Sequence, residues 1–286
     1  MKNYQDLIQT VFDIGYQTDD RTGTGTIATF GTKVEWDMSE GFPATTVKRL
    51  AYKSVVGELL WFLEGSTNVE RLREITHGAG SDKKTIWDQN FEAQGRALGY
   101  VDGELGPVYG KQWRDFGGVD QLVETIEKVK KVPTDRRQIV SAWNPAELKQ
   151  MALPPCHLLY QFNVHDGELD LLWYQRSVDV FLGLPFDIGS YGTLLHIVAK
   201  MTRLKPGKLV FMGGNTHIYL NHIEQCKEVL RREPKALPTL KINWPEQFQL
   251  WDTEMQLYWV TRHMAPGDFV LENYEPHPTI AAPMAV

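Results

Sequence analysis

Cysteine is scarce in this chain: 286 residues hold two, Cys156 and Cys226. They have neither metal-type spacing nor the numbers for a disulfide framework, so a reducing compartment, most simply the cytoplasm, is expected. No apolar run approaches the roughly 20 residues of a membrane span. The opening Met1-Lys2-Asn3-Tyr4 lacks the apolar core of a signal peptide. Repeats, low-complexity tracts and linker-like stretches are missing too, so one domain over residues 1–286 is expected. Positive charge is in deficit, with 30 Lys and Arg against 36 Asp and Glu and a net charge of −6. That balance disfavours a general nucleic-acid surface, though a small anion can still bind where arginines converge. What the chain does have is apolar content, 42% of its residues, enough to bury a core.

Periodicity gives a coarse map. Tyr4, Leu7, Ile8, Val11, Phe12 and Tyr16 recur at helical spacing over 3–17. A polar loop, 18–26, leads to a strand over 27–36. Helices are expected over 54–63, 67–76 and 119–131, with loop-rich chain over 82–117 and a strand over 137–143. Strands over 157–165 and 168–176 flank Asp166-Gly167, a two-residue hairpin signal. A long apolar helix follows at 187–203, a strand at 208–212, a helix at 218–232 and short strands near 239–243 and 267–271. Hairpin-type strands mixed with long helices, without a regular strand-helix-strand rhythm, argue for an α+β fold.

Chemistry concentrates at a few places. Leu153-Pro154-Pro155-Cys156-His157 sets a thiol where a rigid turn meets a strand. Cysteine is the strongest intrinsic nucleophile among side chains, but it is also a common buried small hydrophobe; the pentapeptide alone fits both. Arg176 ends the strand paired with the one that starts at Cys156, so it returns near the thiol. Asp135-Arg136-Arg137 and Arg176-Ser177 offer guanidinium forks that match phosphate oxygens; singly, each is an ordinary solvated arginine. Glu58 lies among apolar neighbours, where an ionised carboxylate needs a partner or a raised pKa. Gly23-Thr24-Gly25-Thr26-Ile27-Ala28 fits the loose dinucleotide pattern, but a polar loop precedes it and a strand follows, the wrong context. Beside Arg21, this loop is read either as a surface turn or as a set of backbone N–H groups for a phosphate. His217 and His222, five apart on a helix-like stretch, lack the partners of a zinc site, and no metal is expected.

These motifs together resemble the folate-dependent thymidylate synthase family over essentially the whole chain, and most of all the enzymes carried by large bacterial viruses. The matching stretches include Arg21-Thr-Gly-Thr-Gly-Thr26, Glu58-Leu-Leu-Trp-Phe-Leu63, Thr85-Ile-Trp-Asp88, Gly106 to Arg114, Asp135-Arg-Arg137, Leu153 to His157, Tyr174 to Phe186, Gly213 to Tyr219 and the Ala-Val end. The resemblance implies a mixed sheet with packed helices in an obligate homodimer. It implies that Cys156 adds to C6 of a pyrimidine nucleotide, so that C5 attacks the one-carbon unit of 5,10-methylenetetrahydrofolate. Arg21, Arg176 and Ser177 would hold the 5′-phosphate, with Arg136 and Arg137 reaching it from the second subunit. Arg176 would also favour the thiolate. His217 and Tyr219 would bond the sugar hydroxyl, and Gln175 would join the nucleotide site. Glu58 and Tyr109 would manage protons. Ile86, Trp87, Asp179, Leu182, Gly183, Phe186 and Val286 would line the folate site. In a viral enzyme the setting would be the cytoplasm of an infected bacterium.

One position departs from the family. Thymidylate synthases read Leu-Pro-Phe-Asn where this chain reads Leu184-Pro185-Phe186-Asp187. The amide donates and accepts, matching uracil, whereas a carboxylate only accepts and suits the exocyclic amino group of cytosine. Aspartate there also resembles the deoxycytidylate hydroxymethylase branch. The expected substrate is therefore dCMP rather than dUMP, and the expected product 5-methyl-dCMP. Trp87 and an intact Pro283-Met284-Ala285-Val286 tail argue for excluding water, hence for methyl over hydroxymethyl. Gly189 and Gly192 stand where the family usually has alanine, and are read as room for the altered base contact or for a water. Ordinary conversion of dUMP to dTMP, a dCMP hydroxymethylase and a non-catalytic nucleotide-binding relative are the alternatives.

Overall fold

The computed structural model describes residues 1–20 and 22–284. Helix α1, Lys2–Ile14, buries Tyr4, Leu7, Ile8 and Val11 along one stripe. It stops short of the expected end because Tyr16–Thr18 is a strand, β1. Tyr16 pairs with Ala28 and is exposed rather than helical. Strand β2, Thr26–Asp37, and helices α2, Tyr52–Glu64, and α3, Val69–His77, fall where the pattern puts them. Asn68 caps α3 by accepting from the N–H groups of Glu70 and Arg71, satisfying two otherwise unpaired donors. Short helices interrupt the loop-rich stretch, among them α4, Trp87–Asn90, and α5, Tyr109–Arg114. Helix α6, Gln121–Lys131, and the short strand β3, Ile139–Ser141, follow.

Strands β4, His157–His165, and β5, Glu168–Asp179, form the expected hairpin. Asp166 and Gly167 both take positive φ, 47° and 79°, as such a turn requires. Helix α7, Gly183–Thr202, begins before the expected start at 187. Pro185 is tolerated there because first-turn N–H groups have no partner within the helix. Strand β6, Lys205–Tyr219, runs through Gly213-Gly214, so His217 lies on a strand and not on a helix. Helix α8, Ile223–Arg231, starts only after a short turn that carries His222. Strand β7, Thr239–Ile242, pairs with the last strand, β8, Phe269–Glu272. Between them lies helix α9, Thr253–Arg262, which the periodicity does not signal.

The main sheet has the order β1-β2-β6-β5-β4-β3. All its pairings are antiparallel except β5 with β6, which α7 connects in parallel. The architecture is thus α+β: a mixed sheet with helices packed on it. Under α7 the sheet presents Trp36, Trp173 and Phe211, with the Trp173 ring stacked on Tyr191 at 4.9 Å. The register decides what meets at the sheet's end. Ser177 sits beside Asn215, Asp179 beside His217, and Thr26 beside Tyr219.

Gly189 and Gly192 do not open the base pocket. A Cβ on Gly189 would meet Leu50 and Val55 at 3.2 and 3.3 Å, and one on Gly192 would meet Phe42 at 3.1 Å. Both glycines are notches for apolar side chains on another side of α7, so they make room for packing rather than for a water or a base.

Candidate active site

The site is built around the turn that precedes β4. Pro154 and Pro155 lead into Cys156, whose N–H donates to the hydroxyl oxygen of Tyr109 at 2.7 Å. Arg176 comes back along β5, and its N–H donates to the Cys156 carbonyl at 2.8 Å. Its guanidinium donates to the carbonyls of Pro155 at 2.8 Å and Pro154 at 3.0 Å. The same group lies 3.9 Å from the Cys156 sulfur. One arginine therefore clamps the turn and sets positive charge beside the thiol, an environment that favours thiolate.

A cleft of about 830 Å³ opens over this turn, lined among others by Cys156, Arg176, Ser177, His217, Tyr219 and Met284. His217 is held by Asn215, with Nδ1 2.8 Å from the amide oxygen, which leaves Nε2 as an acceptor for a ligand hydroxyl. Burial lowers its pKa and Asp179 opposes that effect. Asn215 belongs to a matching motif, yet its role in orienting His217 is not legible in the sequence. Asp20 is a further residue the sequence reading misses. It accepts from the N–H groups of Thr22 and Gly25, at 2.8 and 2.7 Å, and its carbonyl accepts from Gly23. The glycine N–H groups proposed for a phosphate are thus turned onto Asp20, and the loop is an internally bonded turn.

Proton-handling groups lie deeper. Glu58 accepts from the indole N–H of Trp87, and Trp87 is buried against Trp61, Phe62 and Tyr109. Burial raises the Glu58 carboxyl to about 7, with the Trp87 hydrogen bond pulling it down and the charge of Asp187 pushing it up. Burial also raises the Tyr109 hydroxyl well above its ordinary value. A smaller pocket of about 150 Å³ adjoins Glu58 and is lined by Ile86, Phe186, Ser54 and Thr76. Asp179 accepts from the N–H groups of Phe181 and Leu182, at 3.0 and 3.1 Å, fixing the turn into α7. Gly183 opens that helix 3.9 Å from Asp187 Oδ2, measured from where its Cβ would stand.

Because the fold favours neutral Glu58, its stability contribution is complete below the exposed-carboxyl pKa of 4.5 and is lost as pH rises through about 7. Glu58→Gln is therefore expected to match the native chain in stability at pH 5 and to exceed it by about 2 kcal/mol at pH 8.5. Urea denaturation at the two pH values checks this; equal stability at pH 8.5 refutes the raised carboxyl.

Asp187 meets Gln175 and His157. Its Oδ2 accepts from the Gln175 amide at 2.9 Å, and its Oδ1 lies 3.3 Å from His157 Nε2. The other ring nitrogen of His157 is 3.1 Å from the Tyr191 hydroxyl. The carboxylate is thus half-buried and held from two sides.

Not every expected residue converges. Arg137 is exposed and bonded to Asp135 at 2.9 Å, and neither Arg136 nor Arg137 lines the cleft of this chain. Arg21 and Val286 lie outside the described residues. Among the described residues no three His, Cys, Asp or Glu side chains gather as a metal-ligand set.

Comparison with known proteins gives the family and the fold. The family model "Thymidylate synthase" matches residues 2–286. The thymidylate synthase of Enterobacteria phage T4 is 64% identical, with 100% of both chains covered. A probable thymidylate synthase of Escherichia phage T5 is 53% identical, again over 100% of both. The crystal structure of the phage T4 enzyme superposes with a TM-score of 0.96 over all of both chains.

Proposed function

The chain belongs to the thymidylate synthase family, and on that premise we propose that it transfers the one-carbon unit of 5,10-methylenetetrahydrofolate to C5 of a pyrimidine deoxynucleoside monophosphate, leaving a methyl group. The observation that carries this reading is the Arg176 guanidinium 3.9 Å from the Cys156 sulfur at the floor of the cleft. A binding-only relative has no use for a thiol held this way.

Cys156 forms a bond from sulfur to C6, and the displaced electron pair makes C5 the nucleophile. Folate supplies the carbon and, as hydride, the two electrons that turn it into methyl. Glu58, poised near neutrality, and Tyr109 serve the protons of the base and of C5. Loss of the C5 proton would break the bond from the transferred carbon to the folate nitrogen and leave a methylene on C5; hydride reaching that carbon would expel the sulfur from C6, giving the methyl product and dihydrofolate. Ser177 and Arg176 take the phosphate with Arg21, while His217 and Tyr219 take the sugar hydroxyl. Ile86, Trp87, Leu182 and Phe186 fit a flat aromatic cofactor, with Asp179 and Gly183 at its polar edge and Val286 in the closing tail. Arg136 and Arg137 stand away from the cleft, consistent with arginines that serve a second copy in a homodimer. Met284 at the cleft wall and buried Trp87 favour a dry site, hence methyl rather than hydroxymethyl. Action in the cytoplasm of an infected bacterium follows from the phage relatives.

Two readings of the base each have an observation behind them. The names of the phage relatives favour dUMP and the product dTMP. The chain's own residue at this position favours dCMP, because Asp187 carries a carboxyl group that meets Gln175 and His157 and can accept from a 4-amino group. We take dCMP as the reading the geometry supports. Release of tritium from C5-labelled dCMP is expected to outpace release from dUMP. Equal or faster release from dUMP returns the assignment to thymidylate synthesis.

A further inference from the structure

Beyond β8 the chain runs back across the molecule as a strap. The Tyr274 hydroxyl donates to the Thr45 carbonyl at 2.7 Å, and the N–H of His277 donates to the Thr46 carbonyl at 2.8 Å. Arg232 donates to the carbonyls of Pro278 at 2.6 Å and Val47 at 2.9 Å. The innermost anchor is His222, fully buried, with Nε2 2.7 Å from the Pro283 carbonyl. The next residue, Met284, lines the large cleft.

A carbonyl only accepts, so Nε2 of His222 carries the hydrogen and donates. The second nitrogen, Nδ1, is buried without a hydrogen-bond partner among the described residues. It lies 4.0 Å from Asp179 Oδ1, the oxygen that accepts from Phe181 and Leu182. The ring packs edge-on against Tyr219 at 5.6 Å and tilted on Phe181 at 5.4 Å. One imidazole thus touches the strap, a cleft-lining tyrosine and the turn that opens α7. A buried polar nitrogen left unpaired is unfavourable, so retaining histidine here, where an apolar ring would pack, points to the bond it makes on its other side.

We propose that His222 is a positioning residue that pins the C-terminal strap at Pro283 and so holds Met284 against the cleft. Its consequence for turnover rests on the folate reaction proposed above. The strap itself is tested without folate. Carboxypeptidase digestion of the full chain followed by mass spectrometry is expected to release C-terminal residues about tenfold faster from His222→Leu than from the native chain, the effect of one lost buried hydrogen bond. His222→Gln, which keeps an N–H donor at similar reach, recovers most of the resistance. With methylenetetrahydrofolate, KM rises about tenfold in His222→Leu while kcat changes less and nucleotide affinity by calorimetry is unchanged. In a chain lacking residues 283–286, His222→Leu adds nothing further to KM. Native resistance in His222→Leu overturns the proposal, as does the same KM increase in the truncated chain. Should His222→Leu not fold, His222→Asn, too short to reach, is read the same way. A native chain that turns over no folate defeats the function proposed above and leaves the digestion to decide the strap.

Discussion

Cys156→Ser is expected to bind nucleotide as the native chain does and to lose turnover by about 10⁴-fold or more, because a hydroxyl at neutral pH is a far weaker nucleophile than a thiolate. The turn has anchors besides the sulfur. It is held by backbone groups: the Cys156 N–H on Tyr109, the Cys156 carbonyl on the Arg176 N–H, and the carbonyls of Pro154 and Pro155 on the guanidinium. A serine therefore inherits the geometry and the neighbouring charge but not the chemistry. Tritium release from C5 measures the loss, and calorimetry of nucleotide binding shows that the site survives. Activity within tenfold of native would remove Cys156 from the role of nucleophile and with it the covalent route. A parallel loss of nucleotide binding would mean that the sulfur supports the cleft structurally.

What was legible in the sequence was local or carried by motif. The hairpin from His157 to Asp179 follows from alternation and from Asp166-Gly167, both short-range signals, and it alone brings Arg176 back to Cys156. β6 runs through Gly213-Gly214 to Tyr219, past the end of the expected strand at 208–212. The glycines are there because neighbouring groups come too close for a side chain: a Cβ on Gly214 would stand 2.8 Å from the Arg176 carbonyl, and one on Gly213 would stand 2.5 Å from Thr32 and Thr216 hydroxyls. Such closeness depends on two strands meeting, which periodicity along one strand does not contain. The same holds for His217, on a stretch read as helix-like, which the pairing of β6 with β2 makes a strand. Gly189 and Gly192 were read toward the base because Asp187 is near in sequence. A helix turns 100° per residue, and that rotation points them at Phe42, Leu50 and Val55. The contacts His157–Asp187 and His222–Pro283 join residues far apart in the chain, and no local pattern announces them.

Asp187→Asn is expected to move base preference from cytosine toward uracil, changing the ratio of kcat/KM for dCMP over dUMP by about 10³-fold. The size follows from the hydrogen bonds. Gln175 donates to Oδ2, and His157 Nε2 faces Oδ1 at 3.3 Å. A carboxylate offers acceptors only, so uracil O4, itself an acceptor, meets no donor from this side chain, while the 4-amino group of cytosine meets an acceptor. With asparagine, the oxygen still accepts from Gln175 and the other end becomes an N–H₂ that donates to O4. Each mismatched buried group is worth roughly 1–3 kcal/mol, and the substitution corrects one for uracil while creating one for cytosine. The effects add in the ratio, because one substrate gains what the other loses. The reaction centre is untouched: Cys156, Arg176 and Tyr109 make their contacts through other groups. The prediction is thus a change of substrate with retained chemistry, read by assaying both nucleotides with both chains. If the native chain already prefers dUMP and the asparagine chain keeps the same ratio, Asp187 does not read the base. Thymidylate synthesis, which the phage relatives' names favour, would then be the activity of this chain as well.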